Sequence, residues 1–122
     1  MERKFDLEQR LIKFSVSAIR LAEKLPTSFA GKHLSGQLIR SATAPALNYG
    51  EAQSAESRND FIHKLKIALR ELRETKNNLL IIHQMEWYKD NELNAIVAET
   101  IELISIFSKS ITTTQKNKTA KT

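Results

Sequence analysis

The sequence contains no cysteine. This absence excludes disulfide bonds, thiolate nucleophiles, and zinc or iron–sulfur sites that depend on cysteine ligands. The histidines are scattered, and none has a carboxylate four residues away, as a helical metal site would need. We therefore expect neither a metal nor another cofactor. The three histidines are His33, His63 and His83.

Glycine and proline are also scarce, with three glycines and two prolines in 122 residues. Because Gly31, Gly36 and Gly50 do not cluster, the chain has no glycine-rich loop to cradle a phosphate. No apolar run approaches the roughly 18 residues of a membrane-spanning helix. The opening segment MERKFDLEQR carries acids where the apolar part of a signal peptide would begin. We expect a cytoplasmic protein with no membrane contact.

Acidic residues are outnumbered, since 14 Asp and Glu face 19 Lys and Arg, which gives a net charge of +5. The chain is 41% hydrophobic and 27% charged, which is typical of a globular protein, and its length fits one domain. A basic balance favours an anionic partner such as nucleic acid. Part of the excess lies in the C-terminal stretch TTTQKNKTAKT, which has three lysines and no acid.

Apolar residues recur every three to four positions along four segments, which is the period of an amphipathic helix. The first segment starts at Leu7 and is ended by Pro26, and Thr27 or Ser28 can cap the second. The second segment carries apolar and small residues at Leu34, Leu38, Ala42, Tyr49 and Ala52.

Ser57 can cap a third helix over about 58–86, and Asp90 can cap a fourth. Trp87 and Tyr88 lie between them and are expected to close one end of the fold. The third helix presents Phe61, Leu65, Ala68, Leu72, Thr75, Leu79 and Ile82 on its inner side. The fourth presents Leu93, Val97, Thr100, Ile104, Phe107 and Ile111.

No segment alternates like a strand, and the connections are short. The sequence therefore predicts an all-α fold, an up-and-down antiparallel four-helix bundle whose second helix is bent at Pro45. We place the bundle over residues 1–111 and a flexible basic tail over 112–122.

The second helix has an unusual polar side, with small residues and a sparse polar set instead of the Lys and Glu of a solvated face. An interior proline costs about 3 kcal/mol, so the small residues around Pro45 indicate that packing fixes the helix there. Two interpretations of the polar set stay open: a satisfied internal network that reaches Glu71 or Glu74, or a surface that faces another subunit or a ligand. The set comprises Gln37, Arg40, Asn48 and Glu51.

These residues carry a resemblance to the bacterial four-helix bundle family of 23S rRNA intervening-sequence proteins, whose central signature reads roughly Q-x-x-R-x-x-x-S-x-x-x-N-x-x-E-G. Gln37, Arg40, Asn48 and Glu51 fall at matching places, and Pro45 sits where many members have proline. The stretches LAEKLPTSFAGKHLSGQLIRSA and RNDFIHKLKIALRELRET are similar too, so the likeness covers about residues 5–86. The departures are Ala44 for serine, Ala52 for glycine, and Asn77 and Asn78 at a commonly aromatic place.

The resemblance implies a four-helix bundle that forms homo-oligomers, with a pentamer as the associated form, and that binds nucleic acid. A related branch, the accessory protein of diversity-generating retroelements, partners a reverse transcriptase and its RNA. The family has no established reaction. A protein partner is therefore a further expectation.

The third helix carries a basic stripe of its own. Lys66, Arg70 and Arg73 share one side, flanked by His63 and Asn77, and such a stripe could neutralise phosphates with little sequence readout. Arg58 at the helix start, and Lys13, Arg20 and Lys24 of the first helix, could extend it. The alternative is a solvated face that Glu74 partly neutralises.

An enzymatic alternative comes from Arg58 to His63, which resembles the R-[N/D/H]-x(3–5)-H signature of HEPN domains, all-helical, metal-independent ribonucleases that pair arginine and histidine across a dimer. A scaffold that only binds protein, for example a reverse-transcriptase partner, is a third alternative. The expectation we favour is a non-enzymatic homo-oligomer that binds RNA or DNA through its backbone.

Overall fold

The computed structural model describes residues 6–88 and 91–120, with side chains through Asn117. It contains four α-helices: α1 (Leu7–Ala22), α2 (Phe29–Gln53), α3 (Arg58–Met85) and α4 (Asn91–Ala120). Each helix packs against its neighbour in the chain, and α4 packs against α1. In the described residues the diagonal helices lie farther apart, and their side chains meet across the core, as the rings of Tyr49 in α2 and Phe107 in α4 do edge to face at 6.1 Å between centroids. The prediction of an all-α four-helix bundle is confirmed.

Contacts between α1 and α2 show that neighbouring helices run in opposite directions. The Ser15 hydroxyl of α1 donates to the Ala42 carbonyl of α2, and the Ser35 hydroxyl of α2 donates to the Ala22 carbonyl of α1. A later residue of α1 thus faces an earlier residue of α2. With short connections between helices, this pairing gives the up-and-down topology.

The starts of α2 and α3 are capped by serine hydroxyls. Ser28 Oγ accepts a hydrogen bond of 3.1 Å from the backbone N–H of Gly31, and Ser57 Oγ accepts one of 3.0 Å from the N–H three residues on. Each bond satisfies a backbone donor that has no partner inside the helix. Of the two candidate caps for α2, Ser28 is the one used. The predicted cap of α4, Asp90, lies outside the described residues.

The core is built from side chains that are completely or almost completely enclosed. On α4, Ile96 and Leu103 are buried, whereas Val97 and Ile104, which the sequence pattern placed on the inner face, are half-buried against the core. The inner face is wider than one line of residues because each helix packs against two neighbours. Trp87 also packs against the core, as expected of a residue that closes the bundle's end.

The end of α4 differs from the sequence expectation. Its apolar pattern stops at Ile111, but the helix continues to Ala120. Intrahelical bonds continue without apolar residues, and the Thr114 hydroxyl donates to the Ser110 carbonyl at 2.8 Å. The residues expected to form a tail therefore extend α4 as far as 120, and the division of the chain at residue 111 stays a prediction.

α2 runs through Pro45 without a break. Proline has no N–H, so the carbonyl of Ser41 loses its usual intrahelical donor. Ser41 and Ala42 are completely buried and Pro45 is buried with them. The Ser15 hydroxyl of α1 meets the Ala42 carbonyl at 3.2 Å. Small side chains thus let α1 approach the proline-containing turn closely.

Arg40 fastens α2 to α3 by an ion-pair cluster that we call the Arg40 clasp. Its guanidinium donates to Glu71 Oε1 at 3.1 Å and to Glu74 Oε1 at 2.7 Å, and it approaches Gln37 Oε1 at 3.4 Å. The Glu71 side chain is 12% exposed, whereas those of Arg40 and Glu74 are about half exposed. The clasp therefore joins a nearly buried carboxylate to the surface.

Burial, together with a hydrogen bond to Glu74, raises the pKa of Glu71, and the hydrogen bond from Arg40 lowers the pKa of Glu74. Protonation of Glu71 therefore favours the fold, and this contribution is lost as the pH rises through its raised pKa. The contribution of Glu74 has the opposite sign and is lost as the pH falls through its lowered pKa. Arg40 therefore contributes most to folding stability at pH values at which both carboxylates are ionised.

The seam between α1 and α4 is the least extensive in the bundle, and α1 is the shortest helix, with 16 residues. Arg10 Nε donates to Glu99 Oε2 at 2.6 Å, and Arg10 Nη2 donates to Glu102 Oε1 at 2.7 Å. These hydrogen bonds, with Glu99 the stronger influence, raise the pKa of Arg10. A cleft of about 240 Å³ lies beside them. The ion pairs between Arg10 and the two glutamates therefore contribute much of the contact along this seam.

Gly31→Ala is expected to destabilise the protein by about 2 kcal/mol, since overpacked positions typically cost 1–3 kcal/mol. A Cβ at Gly31 would stand 2.0 Å from the carbonyl oxygen of Pro26, and backbone cannot yield as a side chain can. The control is Gly36→Ala, whose Cβ meets nothing within 4 Å and which should stabilise the helix by about 1 kcal/mol. Urea unfolding measures both, and equal effects would contradict the close approach.

Arg40→Ala is expected to lower the free energy of unfolding by about 1 kcal/mol at pH 7, a value discounted for the exposure of the arginine. The loss should shrink near pH 4, because Glu71 can then be protonated and no longer needs a cation. Urea unfolding at both pH values measures the difference. Lys64→Ala removes the exposed pair with Glu51 on the same seam and should change stability less. Equal losses at both pH values for Arg40→Ala would mean that its aliphatic stem, not its charge, stabilises the seam.

Candidate nucleic-acid interface

Three cations form a continuous basic stripe on α3: Lys66, Arg70 and Arg73. Residues spaced by three and four positions lie on the same side of a helix, and all three side chains are exposed. They lie on the flank of α3 that faces α4, because they line a cleft together with residues of α4. The structure therefore places these predicted site residues together.

The basic stripe lacks the ion pairs that occupy cations elsewhere in the bundle. Among the side chains described, none of Lys66, Arg70 and Arg73 forms a salt bridge, whereas Arg10 and Arg40 each bind two carboxylates. The two acids adjacent to the stripe in the sequence, Glu71 and Glu74, both bind Arg40, at 3.1 and 2.7 Å. The charge of the stripe is thus available to an external anion.

The cleft beside the stripe has a volume of about 430 Å³. Its apolar part comes from both helices: Leu69 of α3 is half-buried, and Ile111 of α4 is only 7% exposed. Ser108 and Thr112 line the α4 side. The cleft could not be found from the sequence, because its two walls are about 40 residues apart in the chain and the inter-helix register is needed to bring them together.

α4 adds basic residues next to the cleft. Lys109 and Lys116 lie three residues before and four residues after Thr112, hence on the same side of the helix, and both are exposed. The sequence had assigned Lys116 to a tail. α4 instead continues beyond Ile111, so this lysine belongs to the helix.

The other candidates for the basic surface are not all brought to it. His63 is exposed one turn before Lys66 and extends the stripe. Lys13 and Arg20 belong to α1 and Lys24 follows its end; the backbone of α1 packs against α2 and α4 but not against α3 in the described chain. Lys24 also binds Glu92 at 3.0 Å. The expected extension of the basic surface onto α1 is therefore wrong.

Arg58 and His63 do not converge within one chain. Arg58 is the first residue of α3 and is half-buried, whereas His63 is exposed. Five helical positions separate them by about 140° around the axis, so their side chains leave α3 in different directions. Within one protomer the two side chains do not come together, so a HEPN-like pair would have to be formed by residues of two protomers.

The polar set of α2 lies along its flank toward α3 but does not form one network. Arg40, with Gln37 beside it, makes the clasp described above, whereas Glu51 binds Lys64 at 2.7 Å. The Asn48 side chain donates to the carbonyl of Ala44 in its own helix at 3.0 Å. The contacts of Arg40 and Glu51 fasten α2 to α3. Among the described residues, no side-chain nitrogen or oxygen is both buried and without a hydrogen bond.

Two further observations concern the described part of the chain. None of its helices combines the length and apolarity that a membrane crossing requires. No three histidine or acidic side chains in these residues come together as a metal site would need.

Comparison with known proteins places this fold in a family. Residues 3–109 match the family model described as 23S rRNA-intervening sequence protein. The chain is similar to a crystal structure of a protein of unknown function from the S23 ribosomal protein family of Bacteroides thetaiotaomicron, with 29% identity and a TM-score of 0.80. The match covers 87% of this chain and 98% of the other. No curated protein matches the chain. Because the family model spans most of the sequence and the same four-helix fold recurs in the solved structure, the chain belongs to the 23S rRNA-intervening sequence protein family.

Proposed function

We propose that this protein is a non-enzymatic homo-oligomer that binds the phosphate backbone of RNA or DNA, with little sequence specificity, through the basic stripe of α3 and the adjacent lysines of α4. The observation that carries the proposal is the stripe itself. Three exposed cations on one helical side have no acidic partner among the described side chains. Cations in this state release the counterions of nucleic acid when they meet phosphates.

The spacing of the stripe suits a backbone contact. Lys66 and Arg73 lie seven residues apart, which is about 10 Å along a helix that rises 1.5 Å per residue. Long cationic side chains at this spacing can meet consecutive phosphates without reaching base edges in a groove. Affinity is therefore expected to depend strongly on salt and weakly on sequence.

An apolar surface on the opposite side of the bundle supports the homo-oligomer. Ile12 and Val16 of α1 are 45% and 40% exposed, and Leu47 of α2 is 67% exposed. A contiguous patch of exposed apolar side chains marks a surface that packs against another chain, and we propose that these three contribute to one. A pentamer built through α1 and α2 is the form that the family resemblance implies. It would leave each basic stripe facing outward and repeat it, so that binding gains avidity.

The absence of enzymatic activity in this proposal is supported by the divergence of Arg58 and His63. Nuclease chemistry at such a pair requires both groups at one phosphate. Within one protomer they leave α3 on different sides, so a site would need Arg58 of one subunit beside His63 of another.

A protein-binding scaffold is the second candidate, and a particular surface favours it. Near its C-terminal end, α3 exposes Leu80, Ile81 and Met85, which are between 44% and 48% exposed. A protein partner, for example a reverse transcriptase, could cover these side chains while the basic stripe holds RNA. If the protein were only a scaffold, it would have no affinity for nucleic acid even at low salt.

Arg70→Gln and Arg73→Gln are each expected to reduce the slope of log K against log salt by about one, since each removes one phosphate contact. Fluorescence anisotropy with labelled single-stranded and duplex RNA, at salt concentrations from about 50 to 300 mM, measures the slope. Arg20→Gln is the matched control, because it makes the same charge change on α1. A slope that falls equally in the control would show that net charge, not the stripe, governs binding.

Leu47→Asp is expected to dissociate the homo-oligomer, because it places a charge in the proposed apolar contact while changing a side chain that is already 67% exposed. Sedimentation velocity of the wild type and the variant measures the assembly. Ile101→Asp makes the same kind of change on α4, where Ile101 is 52% exposed, and should leave the assembly intact. A wild type that sediments as a monomer would overturn this part of the proposal.

A further inference from the structure

The cleft between α3 and α4 has features that a flat phosphate-binding surface does not require. Its volume of about 430 Å³ lies within the range of about 300–1,000 Å³ that is usual for small-molecule sites. Phosphates on a nucleic-acid backbone need only the exposed cations of the stripe. A concave space next to those cations can receive a group that projects from the backbone.

The inner surface of the cleft is aliphatic. Ile111 is almost buried and Leu69 is half-buried, and both line the cleft together with the stripe. A phosphate gains nothing from these side chains, since burying an ion against aliphatic groups is unfavourable. The ligand that suits this surface carries an apolar face as well as negative charge.

The α4 side of the cleft supplies hydroxyl groups that are not used inside the protein. Some serine and threonine hydroxyls of the helices donate to the carbonyl four residues earlier, as Thr100 and Thr114 do. Ser108 and Thr112 form no such bond among the described residues. Their hydroxyls can therefore donate to, or accept from, a polar group placed in the cleft.

A nucleotide combines these three requirements. Its base has an apolar face, its sugar has oxygens and hydroxyls, and its phosphates are anionic. We propose that the α3–α4 cleft binds one unpaired nucleotide unit of a single-stranded nucleic acid, with the base against Leu69 and Ile111, the sugar near Ser108 and Thr112, and the flanking phosphates on Lys66, Arg70 and Arg73. This inference rests on the proposed function and names the part of the nucleic acid that the site holds.

The chemistry of the cleft also predicts what the site does not do. An aliphatic surface contacts any base by its face, and two hydroxyls are too few to distinguish the hydrogen-bonding edges of four bases. The site therefore prefers unpaired over paired nucleotides but does not select among bases. A base inside a duplex cannot enter it, because its faces are covered by stacking.

The experiment fills the cleft without changing charge. The double variant Ser108→Leu with Thr112→Leu replaces both hydroxyls by aliphatic bulk, and the control Thr113→Leu makes one such change at an exposed position that does not line the cleft. Adenosine 3′,5′-bisphosphate is the probe, and isothermal titration calorimetry measures its affinity. Helicity and thermal unfolding of each variant verify the fold.

We expect the bisphosphate to bind the wild type and the control, and to bind the double variant at least about tenfold more weakly, a change of about 1.4 kcal/mol. Binding of duplex RNA and its salt slope should be the same in all three proteins, because the basic stripe is unchanged. On the wild type, the methyl NMR signals of Leu69 and Ile111 should shift with the bisphosphate, and those of the core residue Leu11 should not. This second measurement needs no variant.

Three results would overturn the inference. If pyrophosphate binds as tightly as the bisphosphate and shifts the same methyl signals, the cleft holds an anion only. If the bisphosphate does not bind, or binds the double variant equally, while duplex RNA still binds with its salt dependence, the nucleotide site is wrong and the proposed function stands. If neither the bisphosphate nor any polynucleotide binds at low salt, the proposed function fails and the nucleotide site fails with it.

Discussion

Ser41 of α2 and Thr75 of α3 meet in the completely buried space between their helices, where the threonine hydroxyl donates to the serine hydroxyl at 2.9 Å. Asn78 donates to the same serine at 3.2 Å. Side chains this small allow two backbones to approach closely, and the Arg40 clasp holds the same seam from the surface. The position of α3 follows from this contact, and α4 in turn packs against α3. A bulkier residue at Ser41 would therefore displace the whole second half of the bundle.

The seam also separates the two surfaces to which contacts are proposed. α1 and α2 expose Ile12, Val16 and Leu47, whereas α3 and α4 expose the basic stripe and its cleft, and the exposed apolar side chains near the C-terminal end of α3 lie apart from both. A surface that packs against copies of the chain and a surface that meets phosphate would compete if they overlapped. Their placement on opposite sides lets one bundle support both proposed contacts.

Much of the fold could be predicted from the sequence, because helical period and capping chemistry are local. Leu65, Leu72 and Leu79 repeat at helical spacing, and Ser57 precedes them with a side chain suited to a cap. From the sequence, Glu71 and Glu74 are possible partners of the polar set on α2, and Arg40 contacts both. These inferences need only the geometry of single helices and the order in which short loops connect them.

The cleft and the end of α4 could not be predicted in the same way. Ile111 and Leu69 become neighbours only when the register between α3 and α4 is known, and no local pattern contains that register. α4 continues beyond Ile111 because backbone hydrogen bonding does not require an apolar residue on every turn. The expected extension of the basic surface onto α1 failed for a related reason, since the sequence does not state which helices lie diagonally across the bundle.

Because the contact between α1 and α4 is the smallest in the bundle, local opening should cost less free energy at this seam than at the other three. The other three seams have extensive helix–helix packing, and α2 and α3 are joined by ion pairs as well; the α1–α4 seam has little packing and depends more on Arg10 and its two carboxylates, beside a cleft of about 240 Å³. The four helices thus pack in chain order, and the bundle is completed by the smaller contact between α4 and α1. Amide hydrogens of α1, which has the shortest length and this smaller contact on one flank, would be the first of the helical ones to exchange with solvent.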